Sequence, residues 1–346
     1  MNPLIWSLLI TSLATSTIIT MSSNHWLLAW LGLELNTLSI LPLIITPHHP
    51  RATEATTKYF LMQATAATLI LCASTINAWQ TGQWTIMTTP SPTTTTLMIV
   101  AVMLKLGLAP AHLWYPDVLQ GSTMHTALII STWQKIAPLT LLYLMHNHLH
   151  MNTLLTIGLI SALVGGWSGL NQTQTRKIMA FSSIAHMGWL ITALALNQSL
   201  TTLTLITYFM MTSTIFLTLT TMTMKTLSDM GTTWPLSPTL TTTTMIALMS
   251  LGGLPPLTGF MPKWLILKEL TTLALPLFST LLLMASLPSL YFYIRMAYLT
   301  MLTMPPTTTN TEHNWRFKTN LNPNLTVATT TSLLLLPLTA ILYNTT

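Results

Sequence analysis

The chain has 346 residues, 51% of them hydrophobic and only 5% charged, with 12 Lys or Arg against 6 Asp or Glu and a mean hydropathy of +0.59. A soluble domain carries about 25% charged residues, so an ordinary water-soluble enzyme is excluded, and the formal charge of +6 is too thinly spread among apolar stretches to form a nucleic-acid surface. Those stretches are continuous and do not alternate every second residue, which excludes a transmembrane β-barrel and predicts an all-α, polytopic membrane bundle.

A crossing helix takes roughly 20 apolar residues, and breaking the sequence at its polar and Pro-rich clusters predicts about eleven of them. The first two lie near residues 3–21 and 25–45. Met1-Asn2-Pro3-Leu4 puts no basic stretch ahead of the first, which reads as a retained span and not a cleaved signal. The third, near 57–79, contains the single cysteine, Cys72, so no intrachain disulfide is expected. The fourth and fifth lie near 94–120 and 122–144, the next three near 152–171, 177–195 and 200–224, and the following two near 239–268 and 274–297. A segment near 298–322, with Pro305-Pro306 and the stretch Glu312 to Lys318, is too polar to cross and leads to a last span near 323–343.

Threonine runs at Thr93 to Thr96, Thr241 to Thr244 and Thr329 to Thr331 need no special chemistry. In lipid a threonine hydroxyl bonds back to the helix carbonyl three or four residues earlier and so replaces an apolar side chain without an unsatisfied group. Trp26, Trp79, Trp84 and Trp114 lie near span ends or breaks and are expected as interfacial anchors. The alternating His146, His148 and His150 lack an accompanying carboxylate or cysteine, and no metal site is expected there.

With eleven spans, every even-numbered connection falls on the side of the N-terminus. Those connections hold Arg51 and Lys58, Arg176 and Lys177, Lys225, and Arg316 and Lys318, whereas the other side has little beyond Lys268 beside Glu269. That asymmetry is the one the positive-inside rule requires, and it predicts an N-terminus on the cytoplasm-equivalent side with the C-terminus opposite.

With the charges in loops and within a few residues of span ends set aside, four remain inside predicted spans: Glu34, Lys105, Lys135 and Lys263. Glu34 is about nine residues into its span, hence roughly 14 Å deep in a hydrocarbon core of roughly 30 Å. A charge at that depth costs at least about 2.5 to 3.5 kcal/mol and should face a partner or water inside the bundle. Structural ion pairs between helices are one reading. Three lysines and one glutamate do not pair off, however, and burial penalises an ammonium left without a carboxylate, so such lysines suit a proton relay. The ratio favours the relay.

Two of the spans carry matching interruptions. One reads from Lys105 through Gly107, Pro110 and His112 to Pro116, the other from Gly252 and Gly253 through Pro255 and Pro256 to Pro262 and Lys263. Proline removes a helix donor and clashes with the preceding turn, so both helices should break near mid-membrane, where freed backbone groups survive only beside a protein-lined or hydrated cavity. The breaks are five spans apart, which predicts inverted five-helix repeats over residues 1–145 and 150–297, with 298–346 outside them. His112 follows the first break and His186 sits in Phe181-Ser182-Ser183-Ile184-Ala185-His186-Met187-Gly188; each is a possible proton carrier or an interhelical donor. GxGxxG, P-loop and CxxC patterns are absent, so flavin, nucleotide and iron–sulfur binding by this chain are unsupported.

These segments, together with Leu31-Gly32-Leu33-Glu34-Leu35-Asn36, Ser131-Thr132-Trp133-Gln134-Lys135 and Gly252-Gly253-Leu254-Pro255-Pro256, resemble the antiporter-like subunit 2 family of mitochondrial NADH:ubiquinone oxidoreductase, respiratory complex I, over essentially the whole chain. The resemblance implies a membrane-arm subunit of a redox-driven proton pump, a translocase, in the mitochondrial inner membrane with its N-terminus on the matrix side and its C-terminus on the intermembrane-space side. It implies that Glu34 tunes Lys105, that Lys135 relays the proton, and that Lys263 is the terminal site. It places FMN and iron–sulfur clusters in other subunits. The partners it implies are the neighbouring antiporter-like subunits 4 and 4L, accessory subunits, and lipids such as cardiolipin. A stand-alone cation/proton antiporter and a passive structural subunit are the competing expectations.

Overall fold

The computed structural model describes residues 3–88, 91–231, 233, 237–302 and 323–334. Among them the chain is helical, with isolated bridges joining His25 to Thr85 and Gln174 to Thr226. It divides into two compact units, Met1–Ile157 and Gly158–Thr346.

The first unit contains α1 (Pro3–Ser22), α2 (Trp26–Ile45), α3 (Pro50–Thr81), α4 (Pro92–Leu106), α5 (Trp114–Gly121), α6 (Met124–Ser131), α7 (Ile136–Leu144) and the start of α8 (Met151–Gly169). The third helix begins earlier than the sequence suggested. His49 accepts the Arg51 N–H on its imidazole, Pro50 fills the first turn where no donor is needed, and Arg51, Glu54 and Lys58 thus lie on the opening turns of α3 and not in a connection. At 32 residues and about 1.5 Å per residue, α3 outreaches a hydrocarbon core of roughly 30 Å, so its charged first turns project beyond it. Trp26, Leu33, Ile70, Met98 and Leu141 form the packed centre, and the Trp30 indole N–H donates to the Ala67 carbonyl at 3.1 Å, tying α2 to α3.

The second unit holds most of α8, then α9 (Thr175–Leu196), α10 (Gln198–Thr221), α11 (Leu227–Gly231), α12 (Pro238–Gly252), α13 (Phe260–Thr272), α14 (Pro276–Leu302) and α15 (Pro323–Leu334). Helix α9 is buried along almost its whole length, which fits its apolar residues on every face. Asp229 accepts the Lys225 and Thr226 N–H groups ahead of α11, and the Thr226 bond in particular holds its carboxyl below the usual aspartate range. The predicted polar segment and last span fall largely on residues 303–322 and 335–346, outside those described.

Eight helices among the described residues are long and apolar enough to cross a membrane. The threonine runs behave as expected: Thr95 donates to Pro92, Thr96 to Thr93, and Thr241 to Thr244 each to a carbonyl three residues back. The expectation for the tryptophans divides. Trp79 is exposed, but Trp26 is fully buried and Trp114 nearly so, each packed into the helix bundle and not at an interface.

Both predicted breaks are present, in the same form. Helix α4 stops at Leu106 and α5 starts at Trp114; α12 stops at Gly252 and α13 starts at Phe260. At each stop a glycine enters the left-handed region, Gly107 at φ 69° and Gly253 at φ 82°. The following residue then bonds back across the turn, Leu108 N–H to Met103 and Leu254 N–H to Met249, satisfying helix-end carbonyls that would otherwise be orphaned at depth. Gly259 closes the second break by lying directly against the Ser250 carbonyl, where a Cβ would collide with backbone. Gly259→Ala is therefore expected to cost about 3 kcal/mol or more, measured as loss of the chain from the assembled complex on native gels.

Candidate functional site

Lys105 occupies the last turn of α4, where the unpaired carbonyls of a helix C-terminus favour a cation. It is 6% exposed. Its ammonium has no hydrogen-bonding partner among the described residues, and neither has Glu34 Oε2 on α2. The two are nonetheless close enough for Glu34 to act on Lys105 electrostatically. The expected Glu34–Lys105 association is thus a through-space one and not a closed salt bridge.

Lys135 is 3% exposed. It does not lie in a continuous helix. The predicted span over 122–144 is interrupted by a single 3-10 turn, Trp133–Lys135, between α6 and α7. Pro138 is the signal that was passed over: it has no N–H to give to the Gln134 carbonyl, and its ring disfavours α-helix through that position. The Lys135 ammonium stands 5.1 Å from the Tyr115 ring centroid, within range of cation–π attraction.

Lys105 and Lys135 line one cavity, about 20 Å³ in volume, with Asn36, Tyr59, Gln63 and Gln134 supplying its other polar groups. That is room for about one water molecule, and the lining is polar enough to hold it. Tyr59 OH donates to Gln134 Oε1 at 3.3 Å, the Gln134 amide donates to Asn36 Oδ1 at 3.1 Å, and Gln63 donates to the Lys105 carbonyl at 3.3 Å. These amides lie inside predicted spans but are uncharged, so attention to charge alone missed them. Trp114 and Tyr115, the first residues after the break, complete the wall. His112 is only half-buried in the break itself, with Nδ1 3.2 Å from the Pro110 carbonyl, and does not line this cavity.

The second unit has a matching cavity of about 20 Å³, lined by His186, Trp189, Thr207, Tyr208 and Lys263 among others. Lys263 is in the first turn of α13, where the helix end disfavours a cation, and it reaches back across the break to donate to the Gly252 carbonyl at 2.9 Å. The broken helix thereby supplies a C-terminal carbonyl as the partner of a half-buried ammonium. Its Nζ also lies 5.8 Å from the Trp189 ring centroid. The side chain passes over Gly253, where a Cβ would come within 2.9 Å of Nζ, so Gly253 provides both the turn and the space. Pro255 and Pro256 lie in the break. His186 faces Tyr293, with Nε2 and the phenol oxygen 3.3 Å apart.

Four further charged residues enter the picture. Arg295, inside α14, donates to the Leu170 carbonyl at 2.8 Å just past the end of α8. Lys58 on α3 contacts Asp117 on α5 at 2.9 Å and Glu54 at 2.7 Å. Lys58 had been expected in a connection, and Asp117 had not been singled out by the sequence.

The family described as NADH:quinone oxidoreductase/Mrp antiporter, TM, matches residues 23–309, and NADH dehydrogenase subunit 2 C-terminus matches residues 290–343. NADH-ubiquinone oxidoreductase chain 2 of Danio rerio is 51% identical over 348 aligned residues, covering 100% of both chains. A chain of respiratory complex I from Thermus thermophilus superposes with a TM-score of 0.87 at 26% identity, over 99% of this chain and 80% of that one. A chain of the Mrp complex from Dietzia sp. shares the fold, with a TM-score of 0.81 at 13% identity over 97% of this chain and 75% of the other.

Proposed function

The chain belongs to the NADH:quinone oxidoreductase/Mrp antiporter transmembrane family, among the NADH-ubiquinone oxidoreductase chain 2 proteins, and from this premise we propose that Glu34, Lys105, Lys135 and Lys263 carry its proton translocation. It is a membrane-arm subunit of the respiratory NADH:ubiquinone oxidoreductase. The observation that carries the assignment is the joining of Lys105 and Lys135 in one polar cavity, with Glu34 acting on Lys105 but not hydrogen-bonded to it. A closed pair would fix both charges. An open one lets a small displacement of Glu34 change the charge state of its neighbour, and that is how an event elsewhere in the complex reaches this site.

A carboxylate about 7 Å from an ammonium at an effective dielectric of about 20 interacts by roughly 2.4 kcal/mol, enough to switch proton occupancy. Glu34→Gln removes this lever while keeping the shape of the side chain. It is expected to lower coupled proton pumping several-fold in proteoliposomes with assembly unchanged; an undiminished proton yield per NADH would remove Glu34 from the scheme.

Lys135 passes the proton on through water and the Tyr59, Gln134 and Asn36 network, and Lys263 is the terminal site, with His186 and Tyr293 beside it. His112 is an accessory carrier on the rim of the first break. Residues 1–145 and 150–297 are read as the two halves of an internal repeat. The chain acts as a translocase without a redox centre of its own: one cysteine in 346 residues does not supply the four thiolates of a common iron–sulfur site. FMN and iron–sulfur clusters belong to other subunits. The setting is the mitochondrial inner membrane, N-terminus in the matrix, against antiporter-like subunits 4 and 4L, accessory subunits and cardiolipin. A stand-alone cation/proton exchanger is the reading to test against it: the purified chain alone should then exchange Na⁺ or K⁺ for protons in liposomes, whereas a coupled subunit is inert without its complex.

A further inference from the structure

At the end of the first unit where α1 and α3 begin, the opening turns of α3 and the end of α5 enclose a polar basin of about 180 Å³, lined by Arg51, Glu54, Lys58, Asp117 and Gln120. It has room for several water molecules. The Lys58 ammonium bridges two carboxylates there, at 2.7 Å from Glu54 and 2.9 Å from Asp117. The pair is open to water: the Lys58 and Asp117 side chains are 39% and 44% exposed. Ion pairs so exposed contribute little to stability, so bracing α3 against α5 does not account for them. That contact is already made by backbone, since Gly121 lies directly against the Arg51 carbonyl and the Ala55 methyl. Two carboxylates in the wall also argue against a phosphate or lipid headgroup as occupant.

The basin lies one residue from the inner cavity on α3 and two on α5. Lys58 faces the basin while Tyr59 faces the cavity; Asp117 faces the basin while Tyr115 and Trp114 face the cavity. On the cavity side, Tyr59 and Trp114 pack edge to face with ring centroids 5.8 Å apart. The register of the two breaks gives a second, independent argument. Gly107, Pro110, Pro116 and Asp117 stand at the same spacing as Gly253, Pro256, Pro262 and Lys263. The residue following the last proline is ionisable in both, and in the second unit it is a lysine lining the cavity.

We propose that this basin is the proton-loading vestibule of the first unit, with Asp117 as the carboxyl that takes a proton from the aqueous phase and hands it inward past Tyr59 and Trp114. The inference rests on the relay assigned to Lys105 and Lys135. In the loading step a proton from bulk water adds to the Asp117 carboxylate and its ion pair with Lys58 breaks. Lys58 stays paired with Glu54, so no ammonium is left without a carboxylate. In the transfer step the proton leaves Asp117 through water for the neutral amine of an inner lysine, and the carboxylate so restored pairs again with Lys58. Arg51, Glu54 and Lys58 are the charged groups facing Asp117 from α3.

The test uses the assembled complex in proteoliposomes. Asp117→Asn keeps size and hydrogen bonding but cannot carry the proton; coupled turnover is expected to fall about tenfold or more, with the loss deepening as pH on the loading side rises. Asp117→Glu should restore most of it. The double variant Asp117→Asn with Lys58→Gln replaces the ion pair by a neutral hydrogen-bonding pair, and it should assemble yet remain deficient. Wild-type pumping in Asp117→Asn, or its return in the double variant, would overturn the vestibule and reduce the pair to a brace. If Asp117→Asn pumps normally while Lys105→Ala does not, only the vestibule fails; if both pump normally, the relay fails with it.

Discussion

Lys135→Ala, introduced into the assembled complex, is expected to bring proton pumping down by about 100-fold or to background, with electron transfer slowed in step because the two are coupled. The magnitude follows from position. Lys135 is 3% exposed and lines one cavity with Lys105 and the Tyr59, Gln134 and Asn36 network, so it is a titratable group in the same polar space. Removing it leaves amides and a phenol that reorient around a proton but do not store one. Lys135 sits on a 3-10 turn in place of a continuous helix, so truncation to alanine does not cut through a buried helix interior and assembly should persist. Lys135→Arg is the informative companion: a guanidinium retains the charge and does not release its proton, so pumping should stay lost. Normal pumping in Lys135→Arg would show that a fixed charge suffices and would exclude proton transfer through this residue.

The membrane class, the two broken helices and the burial of Lys105 and Lys135 were legible because each is encoded locally. An apolar run reports its surroundings directly, and a proline with a glycine three residues ahead of it reports its own backbone, as Gly107 and Gly253 bear out. What stayed hidden was encoded by pairs distant in sequence. Lys58 and Asp117 are 59 residues apart, and nothing on either segment announces the other. The helix start at Pro50 was lost because a charged cluster reads as a loop, although the His49 cap and Pro50 mark a first turn. Trp26 and Trp114 were assigned to interfaces because a tryptophan near a span end is the same in sequence whether it faces lipid headgroups or a neighbouring helix. The interruption before Lys135 was signalled by Pro138 but lacked the paired glycine that made the other two conspicuous.

Lys263 provides the second large effect, and here structure and proton transfer must be separated. Its ammonium donates to the Gly252 carbonyl at 2.9 Å and so satisfies the end of α12 at the break. Lys263→Ala should therefore do two things at once: abolish pumping and, by leaving a buried carbonyl without its charged donor, destabilise the unit by about 1.5 to 3 kcal/mol. A loss of pumping in that variant alone would be ambiguous. Lys263→Gln resolves it, since the glutamine amide can still donate toward Gly252 but does not exchange a proton at neutral pH. Assembly and thermal inactivation of Lys263→Gln should lie close to those of the unaltered complex, while pumping stays as low as in Lys263→Ala. If Lys263→Gln instead pumps at the normal rate, the lysine is a cap for a broken helix, and the terminal proton site must be sought at His186 and Tyr293, which share its unit and contact each other at 3.3 Å.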